Sequence, residues 1–184
     1  MNLTSHFLIA MPGMTDPNFS QTINLICSHD EYGAMGLILN RPTTLSVTEM
    51  LADYDVTESP VTIQTDKIVY QGGPVAIDQG FVLYRDERDW GDTLRVSDDY
   101  CITTSSDILE ALAGGDGPEE YHILLGYCGW DAGQLDAEIN NNVWLTVDAD
   151  VETVFSTPAE KQWTAAAGKL GVDLNLISSE YGHA

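Results

Sequence analysis

The stretch Thr22-Ile23-Asn24-Leu25-Ile26-Cys27-Ser28-His29-Asp30-Glu31-Tyr32-Gly33-Ala34-Met35-Gly36-Leu37-Ile38-Leu39-Asn40 decides how the chain folds. Apolar and polar residues alternate from Thr22 to His29, the period of a half-buried strand. Asp30–Gly33 carries turn chemistry, and Ala34–Asn40 returns as a second apolar run. This pattern predicts a β-hairpin with a three- or four-residue loop. A hairpin needs no crossover helix, so the local reading favours an antiparallel sheet.

The flanks extend that reading. His6–Ala10 is a short strand-like run stopped by Pro12-Gly13, and Pro42 ends the returning strand. Ser46-Val47-Thr48-Glu49 has the spacing of a capping box and predicts a helix to about Tyr54. Residues 55–66 read as loop. Lys67–Gln71 and Gly80–Tyr84 read as strands, with Gly72-Gly73-Pro74 as a tight turn between them. Leu94–Val96 and Tyr100–Thr103 predict a further pair, and Ser105 or Ser106 caps a helix through Ala113. Tyr121–Tyr127 is a buried strand that Gly129 is expected to break, with Asp131 capping the helix that carries Leu135 and Ile139. Val143–Val147 is another strand. Thr157-Pro158-Ala159-Glu160 predicts an N-cap at Thr157 and a helix to about Leu170. Hairpins outnumber crossover units. The expectation is one α+β domain over residues 1–184: a bent, largely antiparallel sheet with helices packed outside it.

The 184 residues are 43% hydrophobic, enough to bury roughly 70% of the unfolded surface without metal or disulfide staples. There are 29 acids against 7 lysines and arginines, a net charge of −22. The acids are scattered and read as a solvated surface. Such a field repels a phosphate backbone, so direct nucleic-acid binding is not expected, whereas a basic protein partner would be attracted. No apolar stretch approaches the length that spans a bilayer, and no basic residue precedes Arg41, so a cytoplasmic protein is expected. Cys27, Cys101 and Cys128 have neither zinc spacing nor an even count, in keeping with a reducing compartment.

Phosphate-loop, dinucleotide, nucleophile-elbow and zinc-protease motifs are absent. His6, His29 and His122 fall in strand-like runs and read as structural. Asp148, Asp150 and Glu152 alternate, but in so acidic a chain the triplet is weak grounds for a metal site. Neither metal nor cofactor is expected, and Cys128 reads as a small apolar filler. Two turns stand out. Asn40 and Arg41 follow one strand, and Tyr127, Trp130 and Gln134 surround the end of another. A guanidinium fork beside aromatic faces suits recognition of a carboxylate, a phosphate or a flat ring. These five residues are therefore the candidate ligand- or partner-binding set. The competing reading is that Arg41 pairs with a local acid while Trp130 and Trp144 are core.

The chain resembles the AlgH/YqgE family of bacterial proteins. The resemblance rests on His6–Pro12, Asp16–Phe19, Gly33–Pro42, Gly72–Val75, Gly80–Leu83, Leu125–Leu135 and the ending Gly182-His183-Ala184. It implies an α+β fold whose bent antiparallel sheet forms a partial barrel, and a cytosolic location. It implies no reaction. Its association with transcriptional regulation belongs to one branch, and no helix flanked by basic residues supports DNA reading here. The expected role is a non-catalytic regulatory or adaptor protein acting by protein binding. The alternative is a small-molecule pocket, possibly enzymatic, where the Arg41 and Tyr127/Trp130 turns meet.

Overall fold

A computed structural model describes residues 2–52, 66–174, 176 and 177. The expected end of the first helix at Tyr54 and the expected loop up to Thr65 lie outside them. The strands are β1 (His6–Ala10), β2 (Ile23–Asp30), β3 (Gly33–Ile38), β4 (Pro42–Ser46), β5 (Ile68–Gln71), β6 (Val75–Arg85), β7 (Leu94–Arg95), β8 (Cys101–Thr103), β9 (Glu120–Asp131) and β10 (Trp144–Asp148). The helices are α1 (Val47–Leu51), α2 (Ser106–Gly114), α3 (Gln134–Asn140) and α4 (Ala159–Gly168). A π-helical turn, Glu152–Ser156, precedes α4.

Eight strands follow the order β10-β1-β2-β3-β9-β6-β8-β7 with antiparallel neighbours, curled into a half-barrel. The α+β architecture expected from the sequence is the observed one. Strand β9 is the hub. One edge pairs with β6 along most of its length. The other edge takes β5 in parallel at Leu124 and Leu125, then β3 from Cys128 to Asp131. Gly126, at φ +72°, lies where that edge changes partner.

Both faces of the central strands are buried. In β1, Phe7 and Ile9 join the cluster beneath α4, while Leu8 and Ala10 join the cluster beneath α3. A strand buried on both sides reads as a continuous apolar run, which is why His6–Ala10 shows no alternation. Helices α1 and α2 pack on a third cluster built on β6, β8 and β9.

Local chemistry fixes several elements as expected. Ser46 Oγ accepts from Glu49 N–H at 3.1 Å, and the Glu49 carboxylate accepts from Ser46 N–H at 3.0 Å, closing the capping box. Ser105 caps α2, which stops at Gly115 in the left-handed region, φ +82°.

Five details differ from expectation. The β2–β3 loop has two residues, because Asp30 pairs directly with Gly33. Gly129 does not break β9, which runs on to pair with Met35, since the ladder to β3 outweighs glycine's weak strand preference. The N-cap of α3 is Gly133, not Asp131. The N-cap of α4 is Pro158, not Thr157, because Thr157 N–H bonds back to the Glu152 carbonyl in the π-turn at 2.9 Å. Finally, Gly72-Gly73 is no tight turn. Gly72 donates to the Leu125 carbonyl and accepts from Ile38 N–H, both at 2.7 Å, so the chain passes straight between β3 and β9.

Candidate functional site

The residues singled out from the sequence serve the connection between β1 and β2. Asn40 accepts from Ile23 N–H at 3.0 Å and donates from Nδ2 to the Gln21 carbonyl at 2.9 Å, continuing the hairpin ladder with a side chain. Arg41 Nη2 donates to the carbonyls of Ser20 at 2.7 Å and Pro17 at 3.2 Å. Trp130 Nε1 donates to Glu138 at 2.9 Å, and Gln134 Nε2 donates to the same carboxylate at 2.8 Å. Phe19 lies 6.5 Å from the Trp130 ring and meets Trp144 edge-on at 5.6 Å. Arg41 and Trp130 thus hold the 16–20 segment, one by its backbone and one by its Phe19 ring. Tyr127 packs edge-on against Phe81 instead, at 5.8 Å.

Arg41 borders a cleft of about 110 Å³ with Pro17, Asn18, Ile38, Gln71, Gly73 and Pro74, and Tyr127, Trp130 and Gln134 do not line it. Among the described residues Arg41 makes no ion pair, and its guanidinium donates to main-chain oxygens. Removing the Asn40 amide leaves the N–H of fully buried Ile23 without its acceptor. Asn40→Ala is expected to cost about 2 kcal/mol in urea unfolding, the penalty of one orphaned buried donor. Asn40→Asp keeps the acceptor and should cost less.

Cys128 lies with its Sγ 3.5 Å from Asn24 Oδ1 and 3.6 Å from the Gly72 carbonyl, and burial pushes its thiol up to about 12. Burial also raises Cys27 and Cys101. None of the three is poised as a thiolate nucleophile. Asp148 faces His6 Nε2 at 3.1 Å, and Asp150 receives Thr153 N–H and the Lys169 ammonium. Among the described residues no group of three acids, histidines or cysteines is placed to hold a metal ion.

A cavity larger than the Arg41 cleft lies elsewhere. A cavity of about 490 Å³ is bordered by β5, the first half of β9, the π-turn and the start of α4. Its construction begins with Pro158. Four residues after Val154, Pro158 has no N–H to give the Val154 carbonyl an α-helical bond. His122 supplies the donor instead, Nε2 to Val154 O at 2.7 Å. That bond places the proton on Nε2 and leaves Nδ1 with its lone pair, and Nδ1 has no hydrogen bond among the described residues. Phe155 stacks on the His122 ring at 5.4 Å and 13°, and Tyr70 meets it edge-on at 5.3 Å.

Charge on the lining is mostly negative: Asp66, Glu119, Glu120 and Glu160 against Lys67. Glu120 pairs with Arg85 at 3.0 Å. Asp66, Glu119 and Glu160 make no ion pair among the described residues. The Lys67 ammonium donates to the carbonyls of Glu119 and Tyr121 and lies 3.7 Å from the Tyr121 ring centre. Burial lowers the Lys67 amine, with Glu120 opposing. Burial likewise lowers His122, the Val154 bond opposing and Lys67 assisting. Burial and then the Glu160 charge raise the Tyr70 phenol, which stays protonated. The cavity therefore offers acceptors and aromatic faces. Sequence reading missed it because Tyr70, His122, Phe155 and Glu160 form no motif. The one local sign was a proline four residues after an apolar Val154 at the entry to a helix.

A half-barrel antiparallel sheet with helices packed on it defines the fold class of this protein. The chain belongs to the AlgH-like family, whose model matches residues 7–175. It is 46% identical over 183 residues to a UPF0301 protein of Thioalkalivibrio sulfidiphilus, covering 100% of this chain and 97% of the relative. It is 44% identical over 187 residues to a UPF0301 protein of Vibrio cholerae, covering 100% of both. The solution structure of the AlgH protein from Pseudomonas aeruginosa matches with a TM-score of 0.79 at 45% identity, over 100% of this chain and 97% of that one. A crystal structure of a Corynebacterium diphtheriae protein shares the fold, with a TM-score of 0.74 at 20% identity over 97% and 92% of the two chains. Among the described residues, no helix is long and apolar enough to cross a membrane.

Proposed function

We propose that this protein is a non-catalytic regulatory or adaptor protein that binds a basic protein partner through the cavity beside His122. The observation that carries this reading is the lining itself: four aromatic or imidazole rings and four carboxylates against one lysine, around about 490 Å³, on a chain of net charge −22. A field of that sign steers a cationic surface into contact and repels nucleic acid. The smaller cleft at Arg41 gives less support to the alternative of a small-molecule pocket at the Arg41 and Tyr127/Trp130 turns, since it brings only one of those residues to its wall.

The test is parallel capture from a native lysate with the parent protein and Glu160→Lys. Glu160 is exposed, so the substitution leaves the core alone. The expected result is a stoichiometric basic protein held by the parent at low ionic strength, released as salt rises, and absent from the variant. Equal capture by both, or no stoichiometric protein, overturns the proposal.

A further inference from the structure

We propose that the cavity beside His122 is a receptor for a guanidinium group, the side chain of an arginine in an extended segment of the partner. This rests on the protein-binding reading above and names what enters the cavity.

The argument starts from donors and acceptors. A guanidinium carries five N–H donors and no acceptor, so it needs a wall of acceptors. Nδ1 of His122 is an acceptor by construction, because Nε2 is committed as a donor to the Val154 carbonyl. The Glu160 carboxylate is an acceptor with no hydrogen bond or ion pair among the described residues. The Tyr70 hydroxyl lies close enough to Glu160 to feel its charge. The one lysine on the lining, Lys67, already directs its ammonium to two main-chain oxygens and a ring, with Glu120 alongside. An anion entering this cavity would meet the carboxylates and the His122 lone pair, so anionic ligands are disfavoured.

Shape then separates arginine from lysine. Phe155 stacks nearly parallel on His122, at 13°, and Tyr70 meets the imidazole edge-on, so aromatic faces and edges make up this wall. A planar, weakly hydrated guanidinium stacks on such a wall while its edge donates to the acceptors. An ammonium is a strongly hydrated point charge and gains less. The wall exists because of the π-turn. Its wider winding bonds Thr157 N–H to the Glu152 carbonyl, leaves the Val154 carbonyl for His122, and sets Phe155 on the His122 ring. Such π-turns are concentrated at functional sites, because they cost stability that regular helix would keep.

The probe is a blocked tripeptide, acetyl-Gly-Arg-Gly-amide, compared with its lysine and citrulline counterparts by backbone amide NMR titration of the full chain. Citrulline keeps the shape and removes the charge. The expected result is saturable shifts at Tyr70, His122, Phe155 and Glu160 with the arginine peptide, and binding weaker by about tenfold for lysine and more for citrulline. Glu160→Gln should weaken the arginine peptide by about tenfold, and Phe155→Leu, which keeps an apolar filler in place, should erase the preference for arginine over lysine. Equal binding of arginine and citrulline, or shifts mapping away from these residues, overturns the assignment. A basic partner that is captured by the parent, lost with Glu160→Lys, and not displaced by the arginine peptide refutes the guanidinium alone. Failure of capture as well removes the protein-binding reading beneath it.

Discussion

Gly73→Ala should abolish the cooperative fold or cost more than about 4 kcal/mol, the range reached when backbone must move to admit an atom. A Cβ on Gly73 would lie 2.1 Å from the Tyr127 carbonyl carbon, 2.2 Å from its oxygen and 2.6 Å from Cys128 N. All three are main-chain atoms of β9, so no side chain can swing aside. Relief requires separating the 72–74 segment from β9, next to the bonds that Gly72 makes to Leu125 and Ile38. Those bonds join β3, β5 and β9 at the point where β9 changes partner. Two other glycines calibrate the result. A Cβ at Gly133 meets nothing within 4 Å, but its φ is +73°, so Gly133→Ala should cost only the roughly 1–2 kcal/mol of left-handed backbone. Gly13 has open space and no such φ, and Gly13→Ala should be near neutral. Guanidinium unfolding followed by circular dichroism measures all three. A Gly73→Ala variant within 1 kcal/mol of the parent, about the size of an ordinary substitution, would mean that the close approach is absent in solution.

That glycine also shows what a sequence can and cannot carry. The hairpin at 22–40, the Ser46–Glu49 capping box and the Ser105 cap were legible because each depends on residues only a few positions apart. Gly72-Gly73 was misread as a turn because glycine signals both positive φ and close backbone approach, and only the distant β9 distinguishes them. Gly129 was misread as a breaker for the same reason: the ladder that holds it comes from Met35. The candidate site fared likewise. Arg41 and Trp130 drew notice as scarce residues at strand ends, and they do converge on one segment. Arg41 Nη2, however, is taken by the Pro17 and Ser20 carbonyls, and the Trp130 indole N–H by Glu138. The cavity was invisible because strand parity marks His122 as one more partly buried strand residue. Its meaning comes from Val154, Phe155 and Pro158, more than thirty positions away.

Glu138→Ala should produce the other large loss, about 3 kcal/mol, or roughly 6–12 °C in Tm for a chain of this size. One carboxylate oxygen of Glu138 accepts both the Trp130 indole N–H at 2.9 Å and the Trp144 indole N–H at 2.8 Å, and the other accepts from Gln134. Both indoles are nearly fully buried, so truncation leaves two donors in an apolar cluster with no acceptor. Each such donor costs about 1–3 kcal/mol. Two donors together would cost about 2–6 kcal/mol; Glu138 is only half-buried, so water can reach part of the vacated space, which holds the total in the lower half of that range. Glu138→Gln keeps one carbonyl oxygen with two lone pairs for the indoles and should cost about 1 kcal/mol, the loss of charge assistance and of the exposed acceptor for Gln134. Equal losses for the two variants would show that packing of the side-chain stem, not the indole bonds, is what matters. The loss should also be coupled to Arg41. The indoles hold the Phe19 ring and Arg41 holds the backbone on either side of it, so either brace alone leaves the segment partly ordered. Once Glu138→Ala has loosened the ring, Arg41→Ala has less order left to remove. The double variant should therefore fall short of the sum of the single losses by more than the roughly 0.5 kcal/mol seen between independent sites. Strict additivity would separate the two braces and make the 16–20 segment two independently held pieces.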